Sequence, residues 1–242
     1  MNVLIVGASA GLGRALAEEG ARLGHNLLLV ATDERDLAAL QSDLTLRYQI
    51  RAERMVCDLS HDNNMVDALV QAAEVFGTDG VMFPAGVASD RDTGTLDQAA
   101  ALRLMNVNFL KPSSIVAKLW PLLVSRHSAF VTGFGSVAAI RGRSRNVVYS
   151  AAKRALTSYF ESLCHMSAPT RIAVQLYQMG FIQTQQTFGK KLLFPACSPS
   201  EAARHIWRNN GKTGLWFFPA FWRLIDLMLR SIPLTIYRKL DF

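Results

Sequence analysis

Short apolar-rich runs alternate with longer segments whose apolar residues recur every three or four positions, almost from the first residue to about residue 184. The runs Val3–Val6, Leu27–Val30, Arg54–Cys57, Gly80–Phe83, Ala129–Thr132 and Ile172–Leu176 predict strands. The segments Leu12–Leu23, Leu37–Tyr48, Met65–Phe76, Leu96–Val124 and Tyr149–His165 carry the helical period. Strands that are apolar at nearly every position are covered on both faces. That pattern predicts an α/β fold, a doubly wound parallel sheet with helices on either side. After Thr184 the pattern changes. Phe188 to Ser200 reads as a loop, and Ser200–Asn209 as a helix started by Pro199-Ser200-Glu201. Leu215 to Phe242 is dense in Trp, Phe, Leu and Arg and reads as an apolar helical C-terminal tail. The expected organisation is a core over residues 1–184, with residues 185–242 as a substrate-loop region and tail of the same domain.

Composition narrows the function classes. Half of the 242 residues are hydrophobic, enough for one sizeable core and too many for a disordered chain. The net charge of +7 and pI near 9.6 suit an anionic partner. The basic residues are scattered, however, and no basic stripe is interleaved with aromatics, so nucleic acid is not expected. Cys57, Cys164 and Cys197 match no metal or disulfide spacing, and the five histidines form no helical pair. A reducing, cytoplasmic setting without a metal centre is expected. The chain opens directly into an apolar strand, and no run approaches the roughly 18 apolar residues of a spanning helix. The expectation is a protein that is soluble or lies on the inner face of a membrane.

The first strand runs into Gly7-Ala8-Ser9-Ala10-Gly11-Leu12-Gly13 and then into a helix. Glycines at these places let the backbone turn tightly and approach a pyrophosphate, which the free N–H groups and positive dipole end of the helix attract. In the first βαβ unit this predicts a dinucleotide site and a Rossmann-type core. The end of the second strand, Val30-Ala31-Thr32-Asp33, decides between nicotinamide cofactors: a carboxylate there accepts from a ribose 2′-OH, whereas an Arg accepts a 2′-phosphate. Thr32 at the deciding place is neutral, Asp33 favours NAD, and Arg14 and Arg35 suit NADP. Both stay open, with the balance tipped slightly to NADP.

Ser136 follows an apolar strand, and thirteen residues on comes Tyr149-Ser150-Ala151-Ala152-Lys153. Tyr149 and Lys153 are four apart and share a helix face. Carbonyl reduction needs a proton donor at the oxygen, and an unperturbed tyrosine, with a pKa of about 10, holds its proton tightly. An ammonium beside it lowers that pKa, and Lys153 at this spacing can also hold the nicotinamide ribose. Ser136 can hydrogen-bond the substrate oxygen.

The glycine loop, Ser136, Tyr149 and Lys153 together resemble the short-chain dehydrogenase/reductase family, over roughly residues 1–184. The resemblance implies an NAD(P)-dependent oxidoreductase that interconverts a ketone and a secondary alcohol, working as a homo-oligomer. It implies that Ser9, Leu12 and the glycines cradle the cofactor, and that Asp58 with Leu59 holds the adenine. It implies a fourth catalytic residue, Asn108, with Asn106 as the alternative. It also implies that Ala85 and Gly86 give close backbone approach, and that Gly180, Ile182 and Thr184 cradle the nicotinamide. Val6, Pro84, Lys111 and Met179 depart from the family's Thr, Asn, Gly and Pro. They leave room for a second class, a dinucleotide-binding regulatory protein without catalysis.

Along the tail, Arg223, Asp226 and Arg230 fall on one helical face among Trp and Leu residues. Two readings follow. One is a helix lying in a membrane interface with interfacial Trp, which suits a hydrophobic or lipid-linked substrate or an assembly role at a membrane. The other is a cover over the substrate site or a subunit contact.

Overall fold

In the computed structural model, which describes residues 1–61, 64–184, 187, 189 and 194–240, the six expected strands form and a seventh joins them. They are β1 (Asn2–Val6), β2 (Asn26–Ala31), β3 (Ala52–Val56), β4 (Gly80–Phe83), β5 (Ala129–Ser136), β6 (Ile172–Met179) and β7 (Gly214–Phe218). Their order is β3-β2-β1-β4-β5-β6-β7, and every neighbouring pair is parallel. The helices are α1 (Gly11–Arg22), α2 (Glu34–Tyr48), α3 (Met65–Phe76), α4 (Gln98–Met105), α5 (Lys111–Val124), α6 (Val147–Ser167), α7 (Pro199–Arg208), α8 (Trp222–Ser231) and α9 (Leu234–Tyr237).

The central strands are apolar at nearly every position because alternate side chains enter two different cores. Val3 and Ile5 pack with Leu16, Leu40 and Ile206 on the face covered by α1, α2 and α7. Leu4 and Val6 pack with Leu69, Ile115 and Phe160 on the face covered by α3, α5 and α6. Each fully buried Leu or Ile contributes about 1.5–3 kcal/mol, so the pattern is held by many positions at once. The strand order reverses between β1 and β4, which opens a crevice at their C-terminal ends. The glycine loop and Pro84-Ala85-Gly86 both start there.

Three expectations are corrected. The Leu96–Val124 segment is not one helix: α4 and α5 are separated by a π-turn over Asn106–Leu110, in which the Lys111 N–H reaches back to the Asn106 carbonyl. Leu215–Phe218 is not helical tail but the edge strand β7, held by its pairing with β6 from Gln175↔Gly214 to Met179↔Phe218. A run of four apolar residues fits either state, and the open edge of β6 decides it. The tail's tryptophans are not interfacial either: Trp216 packs on Tyr177 and Trp222 is buried.

Residues after 184 complete the same sheet. Helix α7 starts one residue earlier than expected, with Ser198 and Glu201 forming a reciprocal capping box. It locks onto α1 where the Trp207 ring fills the space beside Gly20 and its Nε1 donates to the Leu16 carbonyl at 2.9 Å. The expected loop over Phe188–Ser200 lies partly outside the described residues. Among the described residues, no helix is long and apolar enough to cross a membrane.

Candidate active site

The crevice is lined first by the glycine loop. Gly7 has φ +100°, and a Cβ on it would lie 2.6 Å from the backbone of Ala85. A Cβ on Gly13 would lie 1.8 Å from the Gly7 carbonyl oxygen, so α1 meets the loop backbone with no room for a side chain. Gly11, at φ +52°, faces the Thr184 methyl, which brings the two ends of the expected cradle together. The Ala85 N–H donates to the Val6 carbonyl at 2.9 Å and ties the β4 loop to β1. Ala10 offers α1 no side-chain cap, so its first N–H groups stay open to an anion. Ser9 and Leu12 lie partly exposed on this loop.

At the β2 end, Thr32 is exposed, and the Asp33 carboxylate accepts from the Asp36 N–H at 2.9 Å as the N-cap of α2. Arg14 pairs with Glu18 at 3.1 Å, and Arg35 lies at the surface near Asp36. At the β3 end, Leu59 is buried and Asp58 accepts from the Ser60 N–H at 2.8 Å. Burial raises the Asp58 pKa, but the Ser60 bonds and the His61 and Arg103 charges outweigh it and hold the carboxyl below its ordinary range. The Asn106 side chain donates to the Ser60 carbonyl at 3.1 Å and belongs to this part of the crevice.

Asn108 turns the other way. Its Nδ2 donates to the carbonyls of Val87 at 2.8 Å and Leu104 at 2.9 Å, and its Oδ1 accepts from the Val87 N–H at 3.3 Å. The π-turn makes this orientation possible, a distortion that often marks a working site. Gly86 lies between Asn108 and Lys153: a Cβ there would meet Asn108 Oδ1 at 3.2 Å and Lys153 Nζ at 3.5 Å. Lys153 is buried on α6 and its Nζ donates to the Phe134 carbonyl at 2.9 Å. Burial brings its pKa down to about 8.

Tyr149 lies one turn earlier on α6. Desolvation raises its pKa, and the Ser136 hydroxyl and the Arg143 charge oppose the rise. The Lys153 ammonium donates to the Phe134 carbonyl. Arg143, in the loop before α6, brings a positive charge toward Tyr149 that the sequence reading did not single out. Its buried Nε has no hydrogen-bond partner among the described residues.

Asp92 was missed as well. It is 1% exposed, and its carboxylate accepts from the N–H groups of Val148 at 3.0 Å and Tyr149 at 2.8 Å. It caps α6 from a loop more than fifty residues away in sequence. A cap is usually sought just before its helix, and here Asn146 gives no side-chain cap.

On the far side, the Gly180 N–H donates to the Phe218 carbonyl at 2.8 Å, and the Trp222 indole fills the space a Gly180 side chain would need. Ile182 is buried, and its carbonyl accepts from Thr187 Oγ1 at 2.6 Å. A surface depression of about 420 Å³ between Val124 and Arg171 lies at the opposite ends of β5 and β6.

A parallel switch-point sheet with a glycine-rich loop at an uncapped helix end defines a dinucleotide-binding protein. Comparison with known proteins makes this specific. The family model for short chain dehydrogenase matches residues 1–191, and the chain belongs to that family. An uncharacterized oxidoreductase of Bacillus subtilis is 28% identical over 185 residues, covering 75% of this chain and 74% of the relative. The fold superposes on a 7β-hydroxysteroid dehydrogenase with a TM-score of 0.87 at 18% identity, covering 95% of this chain and 92% of the other. It superposes on a short-chain dehydrogenase from Sphingobium yanoikuyae in complex with NADPH with a TM-score of 0.80 at 23% identity, covering 96% of each. The protein is an NAD(P)-dependent oxidoreductase.

Proposed function

We propose that the protein interconverts a ketone and a secondary alcohol with Ser136, Tyr149, Lys153 and Asn108, using NADP(H) in preference to NAD(H). The observation that carries this reading is the placement of Tyr149 one helical turn from the buried Lys153 ammonium, which itself bonds the strand that ends in Ser136. Ser136 and Tyr149 share the substrate oxygen, and Ser136 fixes its position. Bound NADPH supplies the hydride to the carbonyl carbon. Tyr149 gives its phenolic proton to the oxygen in reduction and takes it back in oxidation. Lys153, with a pKa of about 8, is mostly protonated at neutral pH and able to exchange its proton; it returns charge balance to the phenolate. Asn108 and Gly86 sit against that ammonium and hold the β4 loop and the π-turn together.

Gly7, Ser9, Gly11, Leu12 and Gly13 hold the pyrophosphate at the open end of α1, and Asp58 and Leu59 the adenine. Ala85 and Gly86 border the ribose beside Lys153, and Gly180, Ile182 and Thr184 the nicotinamide. The engagement of Asp33 as a helix cap, with Thr32 exposed beside it, supports NADP over NAD. The NADPH carried by the Sphingobium enzyme agrees with that preference.

A hydrophobic substrate is supported by the wall around Gly180. Phe181 and Phe194 meet the Trp222 ring edge-on at 5.6 and 5.0 Å, and Phe221 stacks on it at 5.4 Å. Residues after 184 thus form the substrate side of a core that ends near Thr184.

Titration with NADPH and NADH, followed by nicotinamide fluorescence, tests the cofactor reading, with tighter NADPH binding expected. Tyr149→Phe should abolish turnover of an apolar ketone while NADPH affinity is retained. Loss of NADPH binding in that variant would contradict the role given to Tyr149.

A further inference from the structure

We propose that α8 and α9 dock the protein onto an anionic lipid surface. The two helices are anchored from below. Trp222 is buried against Gly180, and the Arg141 guanidinium lies 4.1 Å from the centre of the Tyr237 ring. Arg141 Nη1 donates to the Leu229 carbonyl at 2.8 Å and to the Ile232 carbonyl, satisfying groups that a helix end leaves open. Arg141 follows the short turn after Ser136, so the platform is tied to the catalytic loop itself.

The outward face is apolar. Leu224, Leu227 and Met228 stand at three- and four-residue spacing and are each more than half exposed. Leu234 and Ile236 of α9 are also more than half exposed. Exposed apolar groups clustered this way mark a contact surface. Arg223, Arg230, Arg238 and Lys239 are all exposed along the same pair of helices. The one acid among the described residues from Trp222 to Leu240, Asp226, is paired with Arg230 at 2.8 Å.

That charge pattern selects the occupant. A second copy meeting this face across a two-fold axis would bring cations toward cations. Anionic headgroups neutralise Arg223, Arg238 and Lys239 while the Leu and Met side chains enter the acyl boundary. Because the inner face of α8 touches Gly180, docking also brings lipid beside the substrate wall. Only this consequence rests on the proposed function; the docking does not.

Full-length protein sedimented with phosphatidylcholine vesicles, and with mixed phosphatidylcholine–phosphatidylglycerol vesicles, tests it. Binding is expected to the mixed vesicles, weakening as salt rises. Leu224→Glu combined with Leu227→Glu should abolish it, with far-UV circular dichroism and NADPH binding in solution unchanged. Arg223→Gln and Lys239→Gln should each weaken it about fivefold. Equal or absent sedimentation with both vesicle types would overturn the proposal. So would light scattering that finds a dimer which the Leu224→Glu/Leu227→Glu pair dissociates. If the oxidoreductase reading alone were wrong, NADPH fluorescence would not change while vesicle binding persisted.

Discussion

Two helices, α1 and α6, begin at the same edge of the sheet, after β1 and β5, and their N-termini are finished in opposite ways. Helix α1 starts after Ala10 with no side-chain cap, behind a glycine-rich loop. Helix α6 also lacks a cap from its own preceding residue, but Asp92 closes it with a buried carboxylate. The same positive dipole end is kept for a ligand in one case and used to hold Tyr149 and Lys153 in the other. An open end has to meet charge that arrives with the cofactor, whereas a catalytic helix must not shift when that charge arrives.

Substitutions at four positions test this contrast. The largest effect is expected for Gly13→Ala, because its Cβ would lie 1.8 Å from a backbone oxygen that has no flexible end to move. It should abolish NADPH binding in fluorescence titration and cost about 3 kcal/mol or more in urea denaturation. Asp92→Ala removes a charged acceptor from two N–H groups and should cost about 2–3 kcal/mol, with kcat falling and the KM for NADPH nearly constant. Asp92→Asn, which can accept from only one of the two, should recover about half of that loss. If Asp92→Ala instead raised the KM for NADPH and spared kcat, the cap would be serving the cofactor and the contrast would collapse.

Lys153→Met acts through pH. The folded pKa of about 8 lies below the unfolded value of about 10.4. Between these values the unfolded chain binds more protons, so stability rises with pH through that window; below about pH 8 the cost of burying the ammonium is fully present. The variant should be inactive, about 1–2 kcal/mol more stable at pH 7, and should lose that rise in denaturation measured across the window. The smallest effect belongs to Ala10→Asp. It gives α1 the cap it lacks, so stability should rise by about 1 kcal/mol while NADPH binds more weakly than in the parent. Calorimetry of both properties on one sample would show whether they move in opposite directions.

Much of this site was legible because its signals are local. Gly7, Gly11 and Gly13 lie within one turn of chain, and Tyr149 and Lys153 within one turn of helix, so spacing alone relates them. Asp92 and Arg143 carried no such signal. Asp92 meets α6 across 56 residues, and an Asp in a loop looks the same whether or not a distant helix end needs it. The sequence favoured Asn108 over Asn106 but hid the π-turn that rotates the two neighbouring side chains apart, since such a turn has no residue pattern of its own. Segment Leu215–Phe218 misled for a related reason: four apolar residues acquire strand geometry only where the edge of β6 offers a ladder.

By itself the sequence determined the alternation of strands and helices, the doubly wound parallel sheet and the glycine loop, because period and spacing are imposed by the backbone within one element. Tertiary structure decided that β7 closes the sheet, that Asp92 caps the catalytic helix, and that the tail's tryptophans turn inward while Leu224, Leu227 and Met228 face out. Those outcomes depend on which hydrogen-bonding edges and apolar faces remain unpaired once the core has assembled, a property of the assembled surface that no single segment contains.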